Sequence, residues 1–469
     1  MSAPEGPFAA GEPDRDAWTP VVAALLGAAM LGRALQINNG HFRPEAIVMV
    51  ALALGLVLIA TASARVRAVE RHGRRAALIT AGVGVAYEIV ELLSRPPGIY
   101  LHLSRRDDLF PFFGGIALCG IFAGAALAGG RWRRVCVPLL LLGHFFLGVW
   151  MIHVSPDPRI DVHVFQRDAS AALLSGRDPY GLTHPYLGAD PRFYGPGMLS
   201  DGRVRIGLPY PPLSAFLCVP GHLFGDYRYS QLAAMTLTGG LIVSMHPGAL
   251  AVGAAALFLF TPRGFFVLEQ GWTEPFVVLF LGATVVCAVR FRRALPYALG
   301  CFFAVKQYSI LVAPLVLLLF PRPLRWKEVW SVAWRAAAVA VLVTLPLALV
   351  DVPAFVNDVV LMQVRQPFRA DALSFLALVA HLGVPPLPSA IAFVVLAAVI
   401  AVAVLRAPRT PTGFALAVAA AFFAFFAFNK QAFCNYYYLV VGALCVAAAA
   451  SSAPENAPRQ PPFQGPHIA

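Results

Sequence analysis

The stretch VCVPLLLLGHFFLGVWMIHV (135–154) and its continuation SPDPRIDVHVFQRDASAALLSGRDPYG (155–181) say most about the class of this chain. The first twenty residues contain no Asp, Glu, Lys or Arg. That is the length and polarity a helix needs to cross about 30 Å of hydrocarbon. The continuation turns polar at once and then sets Asp161, Phe165, Asp168 and Ala172 on one helical face. An aspartate-bearing helix directly after a span reads as an interfacial helix on the membrane surface.

On the N-terminal side of this span, similar apolar runs recur near 18–36, 44–64, 76–94 and 109–129. On the C-terminal side they follow near 211–224, 230–246, 248–262, 273–289, 294–305, 308–320, 333–350, 387–405, 412–428 and 433–450. Hydrophobic residues make up 59% of the 469 residues and charged residues 13%, about half the share of an ordinary soluble chain. Together with a mean hydropathy of +0.70, this excludes soluble, disordered and fibrous classes. The expected fold is an all-α polytopic membrane protein with about eleven to fifteen membrane helices.

A formal net charge of +12 could suggest nucleic acid, but the cations are arginines clustered between apolar runs, with only Lys306, Lys327 and Lys430 as lysines. RVRAVERHGRR (65–75), RWRR (131–134), RFRR (290–293) and PRPLRWK (321–327) mark cytoplasmic ends by the positive-inside rule. No nucleic-acid partner is expected. The same count puts both termini in the cytoplasm and the segment Ser155 to Pro209 outside. Parity then fails between Pro211 and Gly271 unless one run there is re-entrant. The runs on either side of Lys306 are too short to cross alone and should meet at the outer face.

The chain divides into an N-terminal tail (1–17), a block of about four membrane helices (18–134), a membrane module (135–450) with its outer loop (155–209), and a Pro-rich tail (451–469) expected to be disordered. The outer loop, 55 residues with six aspartates and six arginines, is long enough to be functional rather than a connector. A second polar patch, DVPAFVNDVVLMQVRQPFRAD (351–371), and a third, FNKQAFCNYYY (428–438), fall on the same side. Seven scattered cysteines show no metal spacing, His163 and His184 have no third ligand, and no metal is expected.

Asp161 emerges just beyond a membrane helix, where partial desolvation can make a carboxylate a usable base; capping of an interfacial helix is the alternative. Lys306, Arg365, Arg369 and Lys430 are cations on the outer side that could grip a phosphate or simply meet headgroups. Tyr180, Tyr210 and Trp272 could stack on sugars or form an interfacial aromatic belt. Asp178 reads as a turn former before Pro179. Glu88 and Glu91 lie within an apolar run, where ionisable groups are functional candidates.

Taken in order, Asp161 with Phe165, AALLSGRDPYG (171–181) and LPYPPL (208–213) resemble the GT-C superfamily of membrane glycosyltransferases, most closely the family 87 type that uses polyprenyl-phosphate mannose. EQGWTEPF (269–276) and AVKQYS (304–309) loosely match two further elements, so the resemblance spans about 135–450. Four helices precede the aspartate-bearing module where the family usually has one. The resemblance implies a GT-C-like helical bundle in the cell membrane with one large extracytoplasmic loop. It implies Asp161 as catalytic base, Lys306, Arg365, Arg369 and Lys430 on the donor phosphate, and Asp168, Tyr180, Tyr210, Gln270 and Glu274 on sugar or acceptor. It also implies a polyprenyl-phosphate sugar as substrate, a glycolipid or glycan acceptor, membrane lipids as surroundings, and no separate cofactor. A transporter or lipid-carrier flippase would instead need paired broken helices in two related halves, and no internal repeat is visible. A non-catalytic scaffold would place no demand on Asp161.

Overall fold

The computed structural model describes residues 18–62, 67–188 and 190–451, apart from the side chains of 67–71 and 106. The tails and part of the basic 65–75 segment lie outside the described residues. The chain is 74% helical, with nineteen α-helices and one small sheet among the described residues, so the all-α polytopic membrane class holds.

The chain begins with α1 (Trp18–Asn38), α2 (Pro44–Ala62), α3 (Arg67–Ser94), α4 (Phe110–Ala128) and α5 (Gly130–Val154). The polar segment after α5 holds α6 (Asp161–Leu174) and three two-residue strands, β1 (His184–Pro185), β2 (Leu199–Ser200) and β3 (Arg203–Val204). β3 lies between the other two, antiparallel to both. Then come α7 (Pro212–Leu223), α8 (Arg228–Met245), α9 (Ala249–Leu259), α10 (Gly264–Gln270), α11 (Glu274–Arg290) and α12 (Leu295–Val305). After a 3₁₀ segment (Gln307–Leu319), the chain continues through α13 (Trp326–Ala348), α14 (Val352–Val356), a π turn (Asn357–Leu361), α15 (Met362–Arg365) and α16 (Phe375–His381). It closes with α17 (Ala390–Arg406), α18 (Pro411–Ala427) and α19 (Cys434–Ala450).

Among the described residues, six helices are long and apolar enough to cross a membrane: α1, α2, most of α3, α4, α5 and α13; the bent pair α9–α10, taken as one span, makes a seventh. Their outward faces are greasy. Trp330 on α13 is 71% exposed and Leu342 is 72% exposed, surfaces that lipid rather than water would cover. One apolar core runs through the bundle and includes residues of α1–α4, which pack on α9, α18 and α19.

The parity problem is solved by α7. It starts beside Pro209, whose carbonyl accepts from Gln307, and it ends near Tyr227 and Arg228. Tyr227 reaches His163 of α6, and Arg228 donates to the carbonyls of Ser155 and Glu269. Both ends of α7 therefore lie at the end of the bundle that carries the 155–209 segment, termed here the loop end. At twelve residues α7 is also too short to cross. The α9–α10 pair, by contrast, runs from the opposite end to the loop end with a 45° bend. Gly271 closes α10 with φ +69°, and a Cβ there would run into the Tyr227 hydroxyl. Only glycine meets both demands.

The segment after Lys306 crosses by stretching. Its thirteen residues wind as a 3₁₀ helix, which at about 2.0 Å per residue spans about 26 Å. α11, with seventeen residues at about 1.5 Å, covers nearly the same height. The far end of the 3₁₀ segment is tied to the opposite end of the bundle, where Arg292 and Arg409 donate to carbonyls of Leu317, Leu319 and Phe320.

Candidate functional site

Asp161 is the first residue of α6, after the extended Ile160. A carboxylate there is favoured by the positive end of the helix dipole. Its Oδ1 accepts from the Val162 amide at 2.8 Å, and it makes no ion pair among the described residues. Part of its side chain stays open to solvent and the rest packs against protein. Burial raises its pKa above the ordinary carboxylate value, against the Val162 amide, Arg369 and His184, which lower it. Tyr100, Tyr194 and Tyr210 are close enough to feel its charge.

The nearest guanidinium, Arg369, is held from three sides. It forms a two-pronged pair with Asp371, with Nε–Oδ1 at 2.7 Å and Nη2–Oδ2 at 2.6 Å, and His41 from the α1–α2 turn lies 3.3 Å from the same carboxylate. Phe193, from the 155–209 segment, caps it at 3.3 Å from ring centre to guanidinium carbon, and Phe433 lies at 4.9 Å. The pair with Asp371 uses Nε and one Nη2 proton, so further donors remain on the same fork. Phe193 and Tyr194 thus lay the tip of the long polar segment over Arg369 and Asp161 together.

A second charged pair lies beneath, where Lys306 interrupts α12 and the 3₁₀ segment. Its Nζ donates to Thr273 Oγ1 at 2.6 Å and meets Glu274 Oε1 at 3.1 Å, and the Tyr210 ring centre is 4.2 Å away. The Tyr308 hydroxyl donates to the same Glu274 oxygen. Lys306 neither snorkels to the headgroups nor projects freely. Its three N–H groups face Thr273, Glu274 and the Tyr210 ring, which ties the start of α11 to the break below Tyr210.

The segment carrying Tyr210 is itself clamped at Gly207. The Gly207 amide donates to Asp358 Oδ2 at 2.7 Å, and the Gly207 carbonyl meets His184 Nε2 at 3.1 Å. His184 Nδ1 lies 2.9 Å from Asp168 Oδ2, and Arg167 pairs with the other Asp168 oxygen. Burial lifts Asp358 to about 6, in spite of hydrogen bonds from Asn357 and Gly207. Tyr180 is buried and donates to the Tyr210 carbonyl at 3.0 Å, with Phe355 edge-on to its ring.

Of the residues singled out in the sequence, the fold brings Asp161, Arg369, Tyr210, Lys306 and Glu274 into one neighbourhood. Others serve the scaffold. Asp168 and Tyr180 hold the Gly207–Tyr210 segment, and Lys430 spends its ammonium on the carbonyls of Val364 and Gln366. Arg365 is exposed on the surface and donates to Asn357. Gln270 is buried against Glu269, whose carboxylate also accepts the amides of Ile99 and Tyr100. Sequence reasoning weighed His184 only as a metal ligand and missed its clamp on Gly207, and it missed Phe193, Tyr194, Asp358 and Asp371. The aromatic pair inside DPRFYGPG (190–197) was the available signal, because turn residues on both sides mark a presented tip. No group of three potential metal ligands occurs among the described residues. Compared with known proteins, the chain matches no family model, no curated protein and no solved structure.

Proposed function

We propose that this chain is a GT-C-like glycosyltransferase that moves a sugar, with mannose the expected one, from a polyprenyl-phosphate carrier to an acceptor hydroxyl on the extracytoplasmic face. The observation that carries the reading is Asp161: a partly buried carboxylate without an ion-pair partner among the described residues, close enough to Arg369 to feel the charge of a guanidinium with donors to spare.

In this mechanism Asp161 takes the proton of the acceptor hydroxyl as that oxygen attacks the anomeric carbon. The bond from that carbon to the phosphate oxygen breaks with inversion, and polyprenyl phosphate leaves with the bonding pair. Arg369 stabilises the charge gathering on the phosphate, a charge-assisted and directional contact. Tyr210, backed by the Lys306–Glu274 pair, offers an aromatic edge to the sugar. Compared with the expectation from sequence, Arg369 takes the leading role on phosphate and Lys306 supports from below.

The test uses membranes holding wild type or Asp161→Asn, given labelled polyprenyl-phosphate sugars, with products identified by the label. Transfer should fall by roughly 10²–10⁴-fold in the variant, the usual weight of general-base catalysis, with membrane insertion unchanged. Undiminished transfer would remove Asp161 from the reaction, and no transfer by wild type from any polyprenyl-phosphate sugar would remove the assignment.

A further inference from the structure

Glu88 stands apart from the Asp161 site and has no part in the proposed reaction. It lies on α3, is 0% exposed, and neither carboxylate oxygen has a hydrogen-bond partner among the described residues. Its neighbour Glu91, one turn nearer the loop end, shows the contrast: Arg33 holds it with two hydrogen bonds of 3.0 and 2.8 Å. A buried carboxylate without partners costs several kcal/mol unless something else compensates its charge.

The surroundings of Glu88 are those of a broken helix. Gly32 on α1 lets the carboxylate approach Pro262: a Cβ at Gly32 would lie 3.1 Å from Glu88 Oε1 and 2.8 Å from the Pro262 ring. Pro262 sits in the gap between α9 and α10 and has no N–H to give to the turn before it. The carbonyls of Leu259 and Phe260, which end α9, accept no backbone hydrogen bond among the described residues. Arg263 follows with φ +70°, a conformation that a non-glycine residue holds only under constraint. On α19, Cys445 is close enough to feel the Glu88 charge, and the buried Tyr438 hydroxyl has no partner among the described residues.

We propose that the α9–α10 break is a binding site for one monovalent cation, held by the Glu88 carboxylate with the carbonyl end of α9 as neutral oxygen donors. The negative end of a helix dipole and a carboxylate both favour a cation, and half-helix ends inside membranes hold such ions elsewhere. One carboxylate among neutral donors balances a single positive charge. A divalent ion would leave one charge uncompensated in an apolar core. Binding replaces the carboxyl proton: the acid releases one proton as the cation takes its place. Bound, the ion would hold α1 and α3 to the bend that carries Glu269 and Gly271 to the loop end.

The purified full chain in nanodiscs is unfolded thermally in choline chloride and in sodium, potassium or lithium chloride at equal ionic strength. One alkali cation should raise the midpoint saturably by several degrees, and the half-saturating concentration should rise as pH falls because the proton competes. Glu88→Gln should unfold at a midpoint independent of the cation. In weakly buffered wild type, adding the cation should release about one proton per chain, a measurement that needs no variant. Equal midpoints in all four salts, or a cation response kept by Glu88→Gln, would overturn the site. None of these readouts depends on glycosyl transfer, so the site and the proposed activity fail separately.

Discussion

Replacing Lys306 by methionine, Glu274 by glutamine, and then both, tests the charged pair under Tyr210 without reference to activity. The two side chains are 6% and 0% exposed and lie 3.1 Å apart. At an effective dielectric near 20, their attraction is about 5 kcal/mol, and desolvation of the two ions offsets most of it. Removing one partner leaves the desolvation cost uncompensated, so each single variant should lose about 3–5 kcal/mol. The loss should be unequal. Without Lys306, Glu274 keeps only the Tyr308 hydroxyl on Oε1, while its Oε2 already has no partner among the described residues. Without the Glu274 charge, Lys306 keeps Thr273 and the Tyr210 ring. Lys306→Met should therefore sit at the upper end of the range and Glu274→Gln at the lower. The double variant, neutral and close in volume, should recover most of the loss, giving a coupling of at least about 2 kcal/mol. The assay is reversible unfolding in mixed micelles, followed by tryptophan fluorescence. Single losses below about 1 kcal/mol that simply add would show the pair to be solvated, and the account of Lys306 as a buried tie would fall.

Three further outcomes follow from the same geometry. Arg369 lowers the pKa of Asp161 against the effect of burial, so Arg369→Gln should move the acid limb of any Asp161-dependent transfer to higher pH; a limb that stays put or moves down would separate the two residues. Because burial raises Asp358 to about 6 in the folded state, folding binds a proton there and stability should fall as pH rises from about 4 through 6; Asp358→Asn, which can still accept the Gly207 amide, should flatten that slope, as thermal midpoints across this range would reveal. Gly271→Ala should cost well over 1 kcal/mol, since its φ of +69° and the Tyr227 hydroxyl both oppose a Cβ, and Tyr227→Phe should restore part of the loss in a double variant; an unchanged midpoint in the Gly271→Ala protein would contradict the close approach.

The site around Asp161 was only partly legible in the sequence. Asp161 stood out because its distance from the preceding span is fixed by chain length alone. Arg369 stood out as a cation in a polar patch, but its proximity to Asp161 joins residues 208 positions apart. The spacing within either patch says nothing of that. Lys430 and Arg365 looked equivalent to Arg369 in sequence; what separates them is that Lys430 faces carbonyls of Val364 and Gln366 and Arg365 lies on the surface.

Polarity along the chain carries everything that could be read one residue after another. Apolar runs of bilayer length set an all-α membrane protein, because no other arrangement satisfies backbone groups in hydrocarbon without closing a barrel. Most of their ends were legible to within about three residues, and so was the helix that begins at Asp161, but α3, α5 and α13 start earlier, at Arg67, Gly130 and Trp326, because their first turns carry the basic clusters that an apolar run leaves out. Which apolar run fails to cross depends instead on contacts made in three dimensions. α7 differs from its neighbours by the contacts of Tyr227 and Arg228, which no hydropathy count contains. The fate of each charge is settled in the same way: Glu91 next to Arg33, Lys306 on Glu274, and Glu88 beside Pro262 with no protein partner among the described residues. Polarity is a property of the chain locally, whereas burial and the partner that makes it tolerable come from other helices.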